Sequence, residues 1–551
     1  MNTEKRSSSM SRHQLIHAFL PTIPQLPLTN KLFGGNSVTP PLSMIALNRM
    51  AFGPSPEAID EFNALGANDD ARLLAYIEQQ LNPFSSVNNS EYSARLAEAN
   101  FLTINKTRQQ LWQQHYRHDG EYSYKTLALR EVERLLFIRA VYNKRQLIEV
   151  LADFWHNHFN VYAWSMSQIA ALFMQYDRDV IRGHMLGNFR EMLTAVAQST
   201  EMLYYLDNQT SSAAGPNENW ARELFELHTL GAENYLGVMR QNDVPLDNEN
   251  RPIGYVDDDV YEATRCFTGW TVANKDTGPG GDTGLFLYRA DWHDRFQKTI
   301  LGNFISADQP AMKDGHDVLD FVAYHPGTAR HIARKLCRRL VSDYPPQSLV
   351  DSTAAVFIAQ QNAPDQLKRV VRHILQSNEF KTTWGEKVKR PFEAIVSAMR
   401  ATNADFTIKY DDSDSNSFMW RYDQMGQAPF AWHAPDGYPD TKEHWQNSSS
   451  LVMRWRMVNW LVDKKDEQDQ YRLNILGQTP GNLNTATGLV DYWIDRILGY
   501  SMSADDRQLI IDFMAQESGP LEALDMSNKK VQDRLRSMVG LILNSPQFQL
   551  R

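Results

Sequence analysis

A chain of 551 residues, 42% hydrophobic and 22% charged, can bury a large core and is not a disordered polymer. Its net charge of -10 and pI near 5.9 exclude a general nucleic-acid binder, which would carry a basic domain. No apolar run approaches the roughly 18 residues of a transmembrane segment.

The segment 1–40 holds Lys5, Arg6 and a serine cluster, then Pro21, Pro24 and Pro27. It lacks a clean apolar stretch and a small-residue cleavage site, so it reads as a flexible arm. Cytoplasm follows by default, with export beside a partner left open. Helical periodicity then predicts short helices over 43–52, 55–64 and 70–81, and a long amphipathic stretch over 130–158 that breaks near Asn143. Similar patterns cover 166–185, 189–206 and 216–231. Between 232 and 317 the character changes. A glycine-rich run at 278–284 beside Phe286-Leu-Tyr288 predicts a loop-rich insertion with at most a small β-hairpin. Helices resume at 318–324, 328–341, 348–361, 364–376 and 391–401. The polar, aromatic stretch 402–450 predicts a long ordered loop over a cleft, and helices at 449–463, 487–498, 504–517 and 529–543 close the chain. The expected fold is all-α: a main helical domain over 41–400, with 401–551 packed on the same body.

Three helix ends share a pattern. Ser199, Ser377 and Ser545 each precede an apolar Met202, Phe380 or Phe548 by three residues, which predicts a serine-capped turn with an apolar anchor. The two cysteines, Cys266 and Cys337, match no metal or redox spacing. Cys337 falls on an apolar stripe and reads as a buried hydrophobe; a bond between the two is left open. The 13 Trp and 22 Tyr suit a core or a polymer-binding groove, and the core is favoured.

The chemistry centres on 216–231. Asn217 suits an N-cap and Gly231 a left-handed helix end. Trp220, Leu224, Leu227 and Leu230 mark the core side. Asn219, Arg222, Glu223 and Glu226 share the opposite stripe. An arginine and a short amide beside two carboxylates suit a fixed polar network better than a solvated face. His156 and His158 add two imidazoles. On a helix they point roughly 200° apart, and in an extended chain they share a face, so both geometries stay open. With Glu223, Glu226 or His228 as further ligands they would hold a divalent zinc, manganese or iron ion. Arg330, Arg334 and Arg338 recur at i, i+4 and i+8 and need partners, either protein carboxylates or a bound anion. His293-Asp294 and His316-Asp317 are weaker acid–base candidates, because neighbours in sequence rarely point together. The aromatic segment from Gly426 to Pro439 reads as a rigid loop capping the central helix. No HExxH, Walker, GxSxG, EF-hand or CxxC pattern is present.

Several of these pieces occur together and in order: Asp153-Phe-Trp-His-Asn-His-Phe-Asn160, the 216–231 segment, and Asp259 to Trp270 ending Thr-Gly-Trp. Lys298 to Gly302, His325-Pro through Lys335-Leu, Lys389-Arg-Pro-Phe-Glu393 and Gly426 through Pro439 complete the set. In this the chain resembles the large bacterial family catalogued as domain of unknown function eighteen hundred, from about Pro41 onward. The resemblance implies no established activity. Its genes often lie beside those of a family that looks like phosphatases and sulfatases, which implies a phosphatase/sulfatase-like partner by association only. Two functions are therefore expected in parallel. One is a metal-dependent enzyme, hydrolytic or oxidative, acting on an anionic or polymeric substrate. The other is a non-catalytic helical scaffold for that partner.

Overall fold

Apolar periodicity resolves into helices throughout the computed structural model, which describes residues 39–82, 88–278, 280–463, 471 and 473–551. The expected arm falls almost wholly on 1–38, outside the described residues, and Thr39–Arg551 is one compact unit. The fold is mainly helical, and no described helix is long and apolar enough to cross a membrane.

Local signals set the boundaries. Ser55 caps Pro56–Ala64 by accepting from the Ala58 N–H, with Pro56 in the first turn. The 130–158 stretch divides at Asn143 into Leu127–Tyr142 and Gln146–His158. The three serine turns form: Ser199, Ser377 and Ser545 accept from the N–H groups of Met202, Phe380 and Phe548. Those anchors are buried. Trp112, Trp155, Trp270, Trp445 and Trp493 are fully buried, so much of the tryptophan fills the core. Cys266 and Cys337 are both free and buried.

Two regions differ from expectation. The 402–450 stretch contains a helix, Ser413–Asp423, capped by Asp412 and anchored by buried Phe418, Met419 and Tyr422. The 232–317 insertion contains the helix Asp257–Cys266 and two antiparallel two-stranded sheets. Strand β1 (Trp270–Val272) pairs with β2 (Phe286–Tyr288), and β3 (Lys298–Ile300) with β4 (Asn303–Ile305).

The aromatic loop is stitched to the end of Gln146–His158. Asn157 donates from Nδ2 to the Tyr438 carbonyl at 2.7 Å and accepts at Oδ1 from the Tyr438 N–H at 2.6 Å. Asn160 donates to the Trp432 and Ala434 carbonyls. A Cβ at Gly437 would lie 2.2 Å from the Asn157 carbonyl oxygen, and its φ is +76°, so only glycine fits.

A buried histidine and lysine cluster as candidate functional site

The helix Gln146–His158 carries both imidazoles of the sequence motif to different places. His156 Nε2 lies 3.0 Å from Asp177 Oδ1, and Arg139 and Arg182 bind the same carboxylate at 2.6 and 2.8 Å. Burial alone would raise the Asp177 carboxyl, but the two guanidiniums outweigh it and hold it well below the usual range. His156 is thereby tied into an internal charge network and does not meet His158 or His228.

His158, one helix turn-half away, faces the opposite side. It is 1% exposed, and its Nε2 lies 3.2 Å from the His228 carbonyl oxygen. A carbonyl only accepts, so the ring proton sits on Nε2 and leaves Nδ1 as a bare lone pair without a partner. His228 is wholly buried and, among the described residues, neither of its ring nitrogens has a partner. The ring centroids of His158 and His228 are 6.1 Å apart, and His331 lies 6.3 Å from His158.

What brings His228 inward is a widening of its helix. The segment begins as an α-helix over Asn219–Glu223 and continues as a π-helix over Leu224–His228, a feature frequent at functional sites. Thr229 closes the wide turn by donating its hydroxyl to the Leu224 carbonyl at 2.5 Å, and the Gly231 N–H bonds the Phe225 carbonyl at 3.0 Å. Gly231, at φ +89°, also makes room: a Cβ there would meet Glu233 Oε2 at 2.3 Å and His331 Nδ1 at 2.4 Å.

The helix Pro326–Leu340 supplies the remaining members. His331 sits between two acceptors, Glu233 Oε1 at 3.1 Å and the Leu227 carbonyl at 3.2 Å. Lys335 lies one turn on and, among the described residues, makes no hydrogen bond or ion pair. Burial lowers its amine to about 8, the Arg338 charge adds to this, and Asp440, Glu233 and Asp436 oppose it. Burial and the Lys335 and His331 charges take His228 down to about 3. Burial and Lys335 likewise hold His158 well below its ordinary value. For His331, burial outweighs the Glu233 hydrogen bond and the shift is again downward. Burial would raise the Glu233 carboxyl, yet the bond and charge of His331 with Arg334 keep it at about 2.

Glu223 and Glu226 are half-buried. Burial and the neighbouring Glu226 carboxylate push Glu223 up to about 7; Arg222 opposes the shift and Asp436 adds to it. The polar stripe is not uniform: Asn219 is exposed, and Arg222 lies 3.6 Å from Glu218 and 3.7 Å from Asp257. The arginine row also divides. Arg334 pairs with Glu233 at 3.1 Å, Arg338 donates to the Asp343 carbonyl, and Arg330 is exposed. His293 meets Asp314 rather than Asp294, which binds Arg265, and Asp317 binds Lys313. Among the described residues no three of His, Cys, Asp or Glu form a metal-holding group.

The sequence therefore marks His158, Glu223, Glu226 and His228 but misses His331, Lys335, Glu233 and Asp436. The available signal is the His331–Lys335 pair, i and i+4 apart beside the buried Ile332 and Leu336, where a solvated helix face would have no reason to begin.

Fold and site together define a class: a mainly helical protein whose buried imidazoles, with ring nitrogens that lack hydrogen-bond partners among the described residues, lie close enough to a lysine to feel its charge. The chain belongs to the family described as Protein of unknown function (DUF1800), whose model matches residues 45–550. No curated protein and no solved structure matches it.

Proposed function

We propose that the protein is an enzyme of general acid–base chemistry at the His158, His228, His331 and Lys335 cluster. It hydrolyses an anionic or polymeric substrate that enters beside Glu223 and Glu226. The observation that carries this is the pair of buried imidazoles with partnerless nitrogens beside an unpaired lysine, because buried polar atoms are normally satisfied. A bare imidazole nitrogen is a base for water or a hydroxyl. Lys335, protonated below about 8, holds negative charge and returns a proton. Glu223, ionised above about 7, is a second base at the rim. Metal dependence has less support: His158 and His228 supply two free imidazoles, and catalytic zinc sites use three protein ligands.

A panel of aryl esters, phosphate esters, sulfate esters and glycosides tests the proposal. Activity rises through about 7 as Glu223 ionises and falls through about 8 as Lys335 loses its proton. Glu223→Gln removes the acid limb and Lys335→Met the alkaline limb. An activity flat from pH 6 to 9, or untouched by His228→Asn, overturns it, as does a panel with no turnover. Elemental analysis of the purified protein decides the metal question.

A second function, a scaffold for the phosphatase/sulfatase-like partner, has its own support. Arg339, Arg390 and Arg551 pair with buried Glu393, and Arg339 and Arg390 also with half-buried Asp153, and Val238, Phe296 and Phe304 are exposed on the insertion. Co-expression with such a partner separates the two: if the complex forms and the panel shows no turnover, the scaffold stands.

A further inference from the structure

A cavity of about 400 Å³ opens between the helices Pro56–Ala64, Asp69–Leu81 and Pro391–Ala401, and none of the cluster residues lines it. Its volume lies in the range of small-molecule sites, about 300–1,000 Å³. Five polar side chains in its wall are more than nine-tenths buried: Gln80, Asn143 and Gln146, whose amides are hydrogen-bonded within the protein, and Arg400 and Tyr76, each 7% exposed. Arg400 donates to the Gly53 and Val141 carbonyls, each at 2.9 Å, and pairs with no carboxylate among the described residues. Burial lowers it only to about 10, with Tyr76 and Glu61 opposing the shift, so it stays cationic at neutral pH. The Tyr76 hydroxyl makes no hydrogen bond among the described residues. A buried cation without an anion is costly unless something supplies the charge. Among the described residues Arg49 and Arg454 also donate only to neutral groups, but neither lines this cavity.

The rim has the opposite sign. Lys144 lies 2.8 Å from Glu57 and 2.6 Å from Glu61, two carboxylates against one ammonium, and Glu91 and Asp405 add two more that share the single Arg95. A simple dianion would meet repulsion at this mouth. A molecule with a carboxylate at one end and an ammonium at the other matches both the inner wall and the rim.

We propose that this cavity binds a small zwitterion of the free amino-acid class, its carboxylate on Arg400 and Tyr76 and its ammonium at Glu61 and Glu91. The twenty free L-amino acids, tested singly by calorimetry on the full chain, are the probes, with acetate and ethylammonium as one-ended controls. At least one amino acid binds with one-to-one stoichiometry, and neither control binds comparably. Tyr76→Phe weakens that binding about fivefold, as one hydrogen bond is lost, and Glu61→Gln weakens it about tenfold, through a charge-assisted bond. Neither residue belongs to the histidine cluster, so turnover of any panel substrate is unchanged in both variants. Arg400→Gln disturbs two carbonyl contacts as well and is read only if it unfolds at the wild-type temperature. No binding by any of the twenty, equal binding by acetate, or full affinity in both Tyr76→Phe and Glu61→Gln overturns the proposal.

Discussion

At the scale of single residues, His228 separates a structural role from a chemical one. A wholly buried imidazole with two partnerless nitrogens weakens the fold, since each orphaned polar atom costs about 1–3 kcal/mol. His228→Leu therefore raises stability by about 1–2 kcal/mol at pH 7, while turnover falls by at least about a hundredfold, the usual worth of a general base. The pH dependence carries the sharper test. The folded pKa of His228 is depressed from 6.5 to about 3, so the unfolded chain binds the extra proton between those values. Stability from this group is complete above 6.5 and is lost as pH falls toward 3, by about 1.4 kcal/mol per pH unit. The advantage of His228→Leu over the wild type accordingly grows by about 2 kcal/mol between pH 6.5 and 5. Urea titrations at the two pH values measure it, and a difference that does not change with pH means His228 is not a buried neutral imidazole.

Among elements, the loop from Gly426 to Pro439 and the end of Gln146–His158 form a single mechanical unit. Asn157 meets the Tyr438 backbone through both its donor and its acceptor, as a neighbouring strand would. Asn157→Ala removes two hydrogen bonds and costs about 1–3 kcal/mol. Because the loop carries Asp436, whose charge raises both Glu223 and Lys335, its release also lowers both of those pKa values. Hydrogen exchange over 426–439 and the pH limbs of activity report the two effects. Unchanged exchange shows that the loop is held by something other than Asn157. This scale also shows what the sequence discloses. Periodicity and caps place most helices, because Ser55 and the Ser199, Ser377 and Ser545 turns act through bonds three residues long. The widening at Leu224–His228 is invisible, since Trp220, Leu224 and Leu230 are buried in either helix form and its closure rests on Thr229 reaching back to Leu224. His156 looks equivalent to His158 in sequence; only the distant Asp177 and Arg182 decide that it serves the core.

Across the whole molecule, buried charge joins segments that lie far apart in the chain. Glu393 accepts from Arg339 and Arg551 through one oxygen and from the Arg390 N–H through the other. Asp153 binds Arg339 at 3.1 Å and also Arg390. Arg551 returns a bond to the Arg339 carbonyl at 2.6 Å, and its N–H meets the Lys387 carbonyl at 3.0 Å. The helix of His158, the helix of Lys335 and the helix Pro391–Ala401 are thus tied at one point, so the network sets the spacing of the candidate site. Burial would raise the Glu393 carboxyl, but Arg551, Arg339 and Arg390 hold it well below the usual range. A depressed carboxyl stabilises the fold above its ordinary pKa and loses that contribution as pH falls through the folded value. Glu393→Gln leaves three buried guanidiniums, of which only Arg339 and Arg390 still meet Asp153, and costs about 3–5 kcal/mol at pH 7, as breaking a buried pair does. Its deficit shrinks in acid, because the wild type must protonate Glu393 there and the variant need not. Combining Glu393→Gln with Arg551→Met then costs less than the sum of the two, by about 1–3 kcal/mol, since each removes the other's partner. Denaturant titrations of the four proteins at pH 7 and pH 4 provide both comparisons; strict additivity together with a deficit independent of pH shows that Glu393 is not the ionised centre of the network.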